Sequence, residues 1–177
     1  MKGSIWLFCF FLISRISFAQ LHPVEKESKI SFTIKNFGFN VTGSFSAPSG
    51  EIRFDPDNPA DARFDVSVSA ASINTDNNLR DGHLRGEDYL DTKNYPRIRF
   101  VSVRVQPARK KGSYQMTGNL TIRDKTKEIS FPFTADPSGT GYLFAGDFKI
   151  NRKEFGVGGS STVSDNLTVE LKVLARQ

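Results

Sequence analysis

An all-β fold of antiparallel strands with one short helical insertion is predicted for this chain by three observations. Apolar residues recur at every second position through most of it. The alternating runs are separated by short polar turns, as between neighbouring antiparallel strands. The rhythm stops once, from Thr75 to Phe100, in TDNNLRDGHLRGEDYLDTKNYPRIRF. One-sided alternation means one buried face, and a long sheet with one apolar face folds into a sandwich or closes into a barrel. Periodicity does not choose between the two.

The first nineteen residues carry Lys2, an apolar run from Ile5 to Ile13, and the small residues Ser17 and Ala19 before Gln20, the layout of a secretory signal peptide. A bilayer span needs about 20 apolar residues, and Ser14 and Arg15 interrupt this run. Cleavage is therefore expected after residue 19. This leaves residues 20–177 as one exported domain, periplasmic or secreted, of ordinary size for a single core. Cys9 leaves with the signal, so the mature chain offers no disulfide, thiol nucleophile or thiolate-held metal. Loss of Lys2 and Arg15 lowers the formal charge from +5 to +3. That surplus is interspersed with acids, and its one local cluster, Arg109 to Lys111, reads as a solvated hairpin tip. No nucleic-acid partner is expected.

Along the mature chain, Ile30, Phe32 and Ile34 alternate in one phase and Phe37, Phe39 and Val41 in the other, so a bulge or turn is expected near Asn36. Gly43 and Phe45 continue the second phase, and Ala47 to Gly50 reads as a turn. Ile52 and Phe54 form a short strand closed by DPDNPAD, and Phe64, Val66 and Val68 form the next. After the interruption, Ile98 and Phe100 give way to Val101, Val103 and Val105, a second slip. Tyr114 to Ile122, Ile129 to Phe133, Tyr142 to Ile150 and Leu167 to Val173 alternate cleanly. The total is eight or nine strands.

Within the interruption, Asp76 is the expected N-cap and Gly86 the left-handed terminator of a helix over about 77–85. Leu79 and Leu84 lie about 140° apart on it, and Gly82 costs about 1 kcal/mol relative to Ala. So thin an apolar face needs a host surface. Pro96 then forces extended backbone before Ile98.

Few residues offer chemistry. His22 and His83 are the only histidines, which leaves no histidine-rich zinc site. A Ser-His-Asp triad would have to use His83 without a G-x-S-x-G elbow. DPDNPAD fails the EF-hand pattern, with Ala60 and Val66 where Gly and Glu are required. No enzyme activity, metal or cofactor is expected. Arg80 and Arg85 lie near Asp81, Glu87, Asp88 and Asp91 and read as their ion-pair partners. The strongest signal is aromatic: 12 of the 16 Phe lie beyond residue 19, most at inward positions. An eight-stranded barrel stands between a filled interior and one that holds a small ligand. Gly43, Gly118 and Gly146 fall in phase with inward residues, where a missing side chain leaves room.

Three segments carry a resemblance: LRDGHLRGEDYLDTKNYPRIRF, GSFSAPSGEIRFDP and INRKEFGVGG, the last from Ile150 to Gly159. In this order they resemble the YceI-like family, exported lipocalin-like barrels whose known members bind polyisoprenoid lipids. The resemblance implies an all-β, antiparallel eight-stranded lipocalin-like barrel. It would hold a long-chain polyisoprenoid, of the isoprenoid quinone or polyprenyl type, for transport or storage. The expected tail contacts are Phe32, Ile34, Phe39, Phe45, Phe100, Phe131, Phe133 and Phe148, with Leu79, Leu84 and Tyr89 on the lid side. Arg80 and His83 are the headgroup candidates. Phe155 in the third segment is expected to be a buried anchor. The partners implied are the lipid and a transient membrane contact, with a homodimer left open. Two other classes remain: a filled-core interaction domain docking a membrane or respiratory partner, and a quinone-using redox enzyme.

Overall fold

The computed structural model describes residues 20–159 and 162–177; the expected signal peptide lies outside them. Ten strand segments follow in chain order: β1 (Gln20–Pro23), β2 (Lys29–Asn36), β3 (Phe39–Phe45), β4 (Ser49–Arg53), β5 (Arg63–Ser69), β6 (Arg97–Pro107), β7 (Ser113–Ile122), β8 (Lys125–Ser138), β9 (Gly141–Asn151) and β10 (Val163–Arg176). They form an antiparallel barrel of eight staves. β1 and β2 pair with successive stretches of the same β10 edge, while β3 pairs with β2 and β4 with β1. Each of these couples is therefore one stave broken by a corner. At the first corner Ser28 stands in for the ladder: its hydroxyl donates to Val24 O at 2.7 Å and accepts from Leu174 N at 3.1 Å. The segment from Ala47 to Gly50, expected to reverse the chain, is the second corner, which bends the stave and does not turn it back.

The ring β1-β4-β5-β6-β7-β8-β9-β10 closes through the β1–β10 pairing. It is continuous at only one end. There β4 pairs with β5, whereas towards the other end β3 has no ladder to β5. A single isolated bridge crosses this seam, with Ser44 N donating to Asn74 O at 2.8 Å and Asn74 N to Ser44 O at 3.0 Å. The insertion between β5 and β6 fills the remaining gap, with helix α1 (Asn78–Arg85) at its centre.

Both phase slips are found. Phe37 (φ 50°) and Gly38 (φ 83°) make a two-residue turn between paired Asn36 and Phe39, the tight geometry that suits a hairpin's twist. The register of β6 against β7 shifts between Ser102 and Arg104, which leaves Val103 exposed and returns Val105 to the interior.

α1 differs from expectation at both ends. Its N-cap is Asn77, whose side chain accepts from Arg80 N, while Asp76 sits one residue earlier at φ 58°. Gly86 terminates it in extended backbone (φ −72°, ψ 170°) rather than the left-handed region. Among the described residues no helix is long and apolar enough to cross a membrane.

Candidate ligand cavity

The barrel interior divides at mid-height. Towards the continuous end, Phe54 sits at the centre of a ring cluster, with Tyr114, Tyr142 and Phe144 centroids 5.2, 5.2 and 5.3 Å away, and Phe64 and Phe133 packed around them. Most of these contacts are edge-to-face, the arrangement that aromatic quadrupoles favour. Burial raises the Tyr114 phenol above its ordinary range, helped by the neighbouring Tyr142, Asp57 and Asp55. This half is solid.

The half under the insertion is hollow. A cavity of about 280 Å³ runs through it. A water needs about 10–15 Å³ of such space, so this one could hold on the order of twenty waters. Its wall is almost entirely hydrocarbon from β2, β3, β5 to β10 and the insertion; polar exceptions at the insertion end include Asn36, Thr75, Arg80 and Arg152.

The inward glycines do not create this space directly. A Cβ on Gly43 would stand 2.3 Å from the Phe32 ring, one on Gly118 2.3 Å from the Phe100 ring, and one on Gly146 3.1 Å from Phe133 Cβ. Gly43 is the ladder partner of Phe32 and Gly146 that of Phe133. The expected vacancies are thus occupied. At Gly43 and Gly118 a ring from the next strand lies along the wall and leaves the barrel axis open. Gly43→Ala should therefore fold, because its clashes are with side-chain atoms, Phe32 Cζ and the Thr75 methyl. It should nevertheless turn Phe32 inward. Ligand content after solvent extraction should fall more than the thermal midpoint; unchanged content would show that Phe32 does not gate the volume.

The cap over the hollow half is held by arginines on backbone carbonyls. Arg80 donates from Nε to Thr75 Oγ1 at 2.8 Å and from Nη2 to Thr75 O at 2.7 Å, while buried Asp81 accepts from Thr75 N and Oγ1. Arg85 donates to Ala71 O and Ile73 O, both at 2.9 Å. Neither arginine makes the acidic pair expected of it. At the β7–β8 turn, Arg123 Nη1 joins Tyr89 O of the insertion to Gly156 O of the β9–β10 connection, and its guanidinium lies 5.7 Å from the Tyr95 ring. That connection opens with a 3-10 turn, Arg152–Phe155. Arg152, 5% exposed, donates to the carbonyls of Ser164, Val157, Gly159 and Val163 and to the Asp165 carboxylate. Gly158 N donates to Asp88 O at 2.7 Å. Insertion and connection are thereby joined into one roof.

Phe32, Ile34, Phe45, Leu84, Tyr89, Phe100, Phe131, Phe133, Phe148 and Arg80 all face the cavity. Three expected positions are corrected. Phe39 has the inward phase but stands at the strand's free end, beyond the wall, and is 78% exposed. Leu79 is 76% exposed because α1 turns Leu84 inward, and two residues 140° apart cannot both face one cavity. His83 is exposed and away from the wall. Beyond the expected positions, β5 and β10 supply an aliphatic wall: Val66, Val68, Leu167, Val169 and Leu171 also line the cavity. Their period-two alternation is the sequence signal that marks them. Among the described residues no cluster of His, Cys, Asp or Glu could hold a metal ion.

An antiparallel eight-stave barrel enclosing an apolar cavity beneath a helical cap is a lipocalin-like architecture. The chain belongs to the YceI-like family: the YceI-like domain matches residues 21–175. It is 34% identical over 150 residues to a UPF0312 protein of Pseudomonas fluorescens, covering 76% of this chain and 75% of that one. Among solved structures it resembles BcnA of Burkholderia cenocepacia (TM-score 0.80, 28% identity, covering 86% of this chain and 98% of that one). It shares its fold with a polyisoprenoid binding domain from Saccharophagus degradans implicated in plant cell wall breakdown (TM-score 0.70, 13% identity, covering 88% and 97%).

Proposed function

We propose that this protein is an exported, non-enzymatic carrier or store that holds a long-chain polyisoprenoid in its barrel. The observation that carries the reading is the apolar cavity under the cap, bounded below by the solid aromatic half and bordered by polar groups at the insertion end. A tail fits with its end against Phe133 and Phe144 and its headgroup near Thr75, Arg80 and Asn36. Burying tail surface contributes about 25 cal/mol per Å², offset by the cost of ordering the chain. A few polar groups at one end would fix orientation. The fold shared with the Saccharophagus degradans polyisoprenoid binding domain supports the ligand class.

The test is organic extraction of purified protein followed by mass spectrometry, with Val169→Trp as the comparison. Val169 faces the cavity between its ladder partners Phe32 and Phe148, so an indole there occupies the tail's place without disturbing the solid half. The unchanged protein should yield an isoprenoid and the variant little or none, at similar melting temperature. No isoprenoid from either, even after incubation with long-chain isoprenoids, would overturn the reading.

A further inference from the structure

We propose that the β2–β3 hairpin tip, Phe37 to Phe39, is a membrane-insertion loop whose two rings enter the surface of a lipid bilayer and seat the hollow end of the barrel upon it. Phe37 is 72% and Phe39 78% exposed, while the ten other phenylalanines of the described chain are buried or half-buried. Phe37 also sits at φ 50°, where a bulky side chain is disfavoured and Asn or Gly is the usual choice. The tip therefore holds large rings in water at a position suited to small polar residues.

The base of the tip is anchored and the rings are not. Phe37 N donates to Thr162 O at 3.3 Å, and Thr162 Oγ1 donates to Asn36 Oδ1 at 2.9 Å, so the rings project from a fixed hairpin. Size decides between partners. Two phenylalanines present roughly 300–500 Å², well short of the roughly 800 Å² per side of a stable protein interface. A bilayer needs no complementary shape. Each ring transferred from water into hydrocarbon contributes in proportion to the apolar area it buries, enough for two rings together to give reversible adhesion. Around the rings stand Lys35, Asn36 and Asn40, the polar and cationic fringe expected at headgroup level. Lys35 is in no ion pair among the described residues, which favours anionic headgroups.

The tip is continuous with the cavity. Asn36 and Val41, which flank it on the two strands, both line the hollow half, so the rings would dip into the bilayer at the rim past which a tail must travel. The purpose of the contact rests on the carrier reading, but its test does not.

The experiment is vesicle co-sedimentation of the purified protein with phosphatidylcholine vesicles, and with the same lipid mixed with phosphatidylglycerol. Wild type is compared with the Phe37→Ser, Phe39→Ser double variant and with Val103→Ser, which removes an exposed apolar residue elsewhere. Wild type and Val103→Ser should sediment with vesicles, more so with phosphatidylglycerol. The double variant should lose at least tenfold in apparent affinity while keeping the wild-type melting temperature and extractable lipid. Failure of the wild type to bind either vesicle, or equal binding by the double variant, would overturn the proposal. Vesicle binding that depends on the two rings in a protein yielding no isoprenoid would leave it standing and remove the carrier reading alone.

Discussion

Phe155→Ala should cost about 3–5 kcal/mol of stability, lowering the melting temperature by roughly 10 °C. Phe155 is 1% exposed in the β9–β10 connection and packs in a cluster with Ile73 and Leu90 of the insertion and Leu120 and Ile122 of β7. The packed ring is thus the apolar pin through which the two halves of the roof meet the barrel. Truncation leaves a void that strand ladders on one side and the Arg152 network on the other prevent from collapsing, so the upper end of the range is expected. Bound ligand should decline only as far as the roof loosens. Thermal unfolding with extraction of the same samples separates the two effects. An unchanged midpoint with lost ligand would mean that Phe155 is a ligand contact instead.

Arg152→Met is the second large effect, about 2–4 kcal/mol. The aliphatic stem is preserved, so packing alters little. What disappears is a guanidinium whose partners include four carbonyls and a carboxylate. Hydrogen bonds to a charged donor contribute about 1.5–3 kcal/mol each, but these carbonyls are part-buried and recover water once the loop moves. Asp165 also keeps Lys153 at 3.2 Å, so no charge is stranded. The cost is therefore smaller than for breaking a fully buried pair. Arg152→Lys should recover only part of it, since an ammonium cannot reproduce the planar fork. The amides of residues 156–159 should lose exchange protection in the Met variant while those of β7 and β8 keep theirs. A loss spread evenly over the barrel would show that Arg152 stabilises the whole fold rather than the roof.

The antiparallel pairing of successive strands, both phase slips, the helical insertion and the aromatic positions along the cavity wall were legible because each rests on side-chain alternation or its interruption, which a sequence displays directly. Phe39 shows where that signal stops. Alternation reports which face a side chain is on and nothing about height along the strand, so a residue past the rim keeps the inward phase with no interior to face. Gly43 and Gly118 show a second limit: the ring filling each apparent vacancy comes from a neighbouring strand. Arg80, Arg85, Arg123 and Arg152 show a third. Their acceptors are mainly main-chain carbonyls gathered by tertiary folding, and a carbonyl leaves no mark in the choice of residue. Nearby acids were the visible partners for Arg80 and Arg85, and they were the wrong ones.

The seam between β3 and the insertion gives the protein an adjustable girth. A fully laddered cylinder has a fixed circumference, because widening it anywhere means parting a row of hydrogen bonds. Here the rows are unbroken only around the solid half, and the hollow half is a split collar fastened by the Ser44–Asn74 bridge and by the Ser72 hydroxyl, which accepts from Ser46 N at 3.1 Å and donates to Ser46 O at 3.3 Å. Releasing these few contacts would let that collar spread while each strand keeps its remaining ladders. Guest length is then limited by the aromatic floor, a rigid stop, and guest thickness by a clasp that can yield, so branched or bulkier chains should be tolerated far better than longer ones.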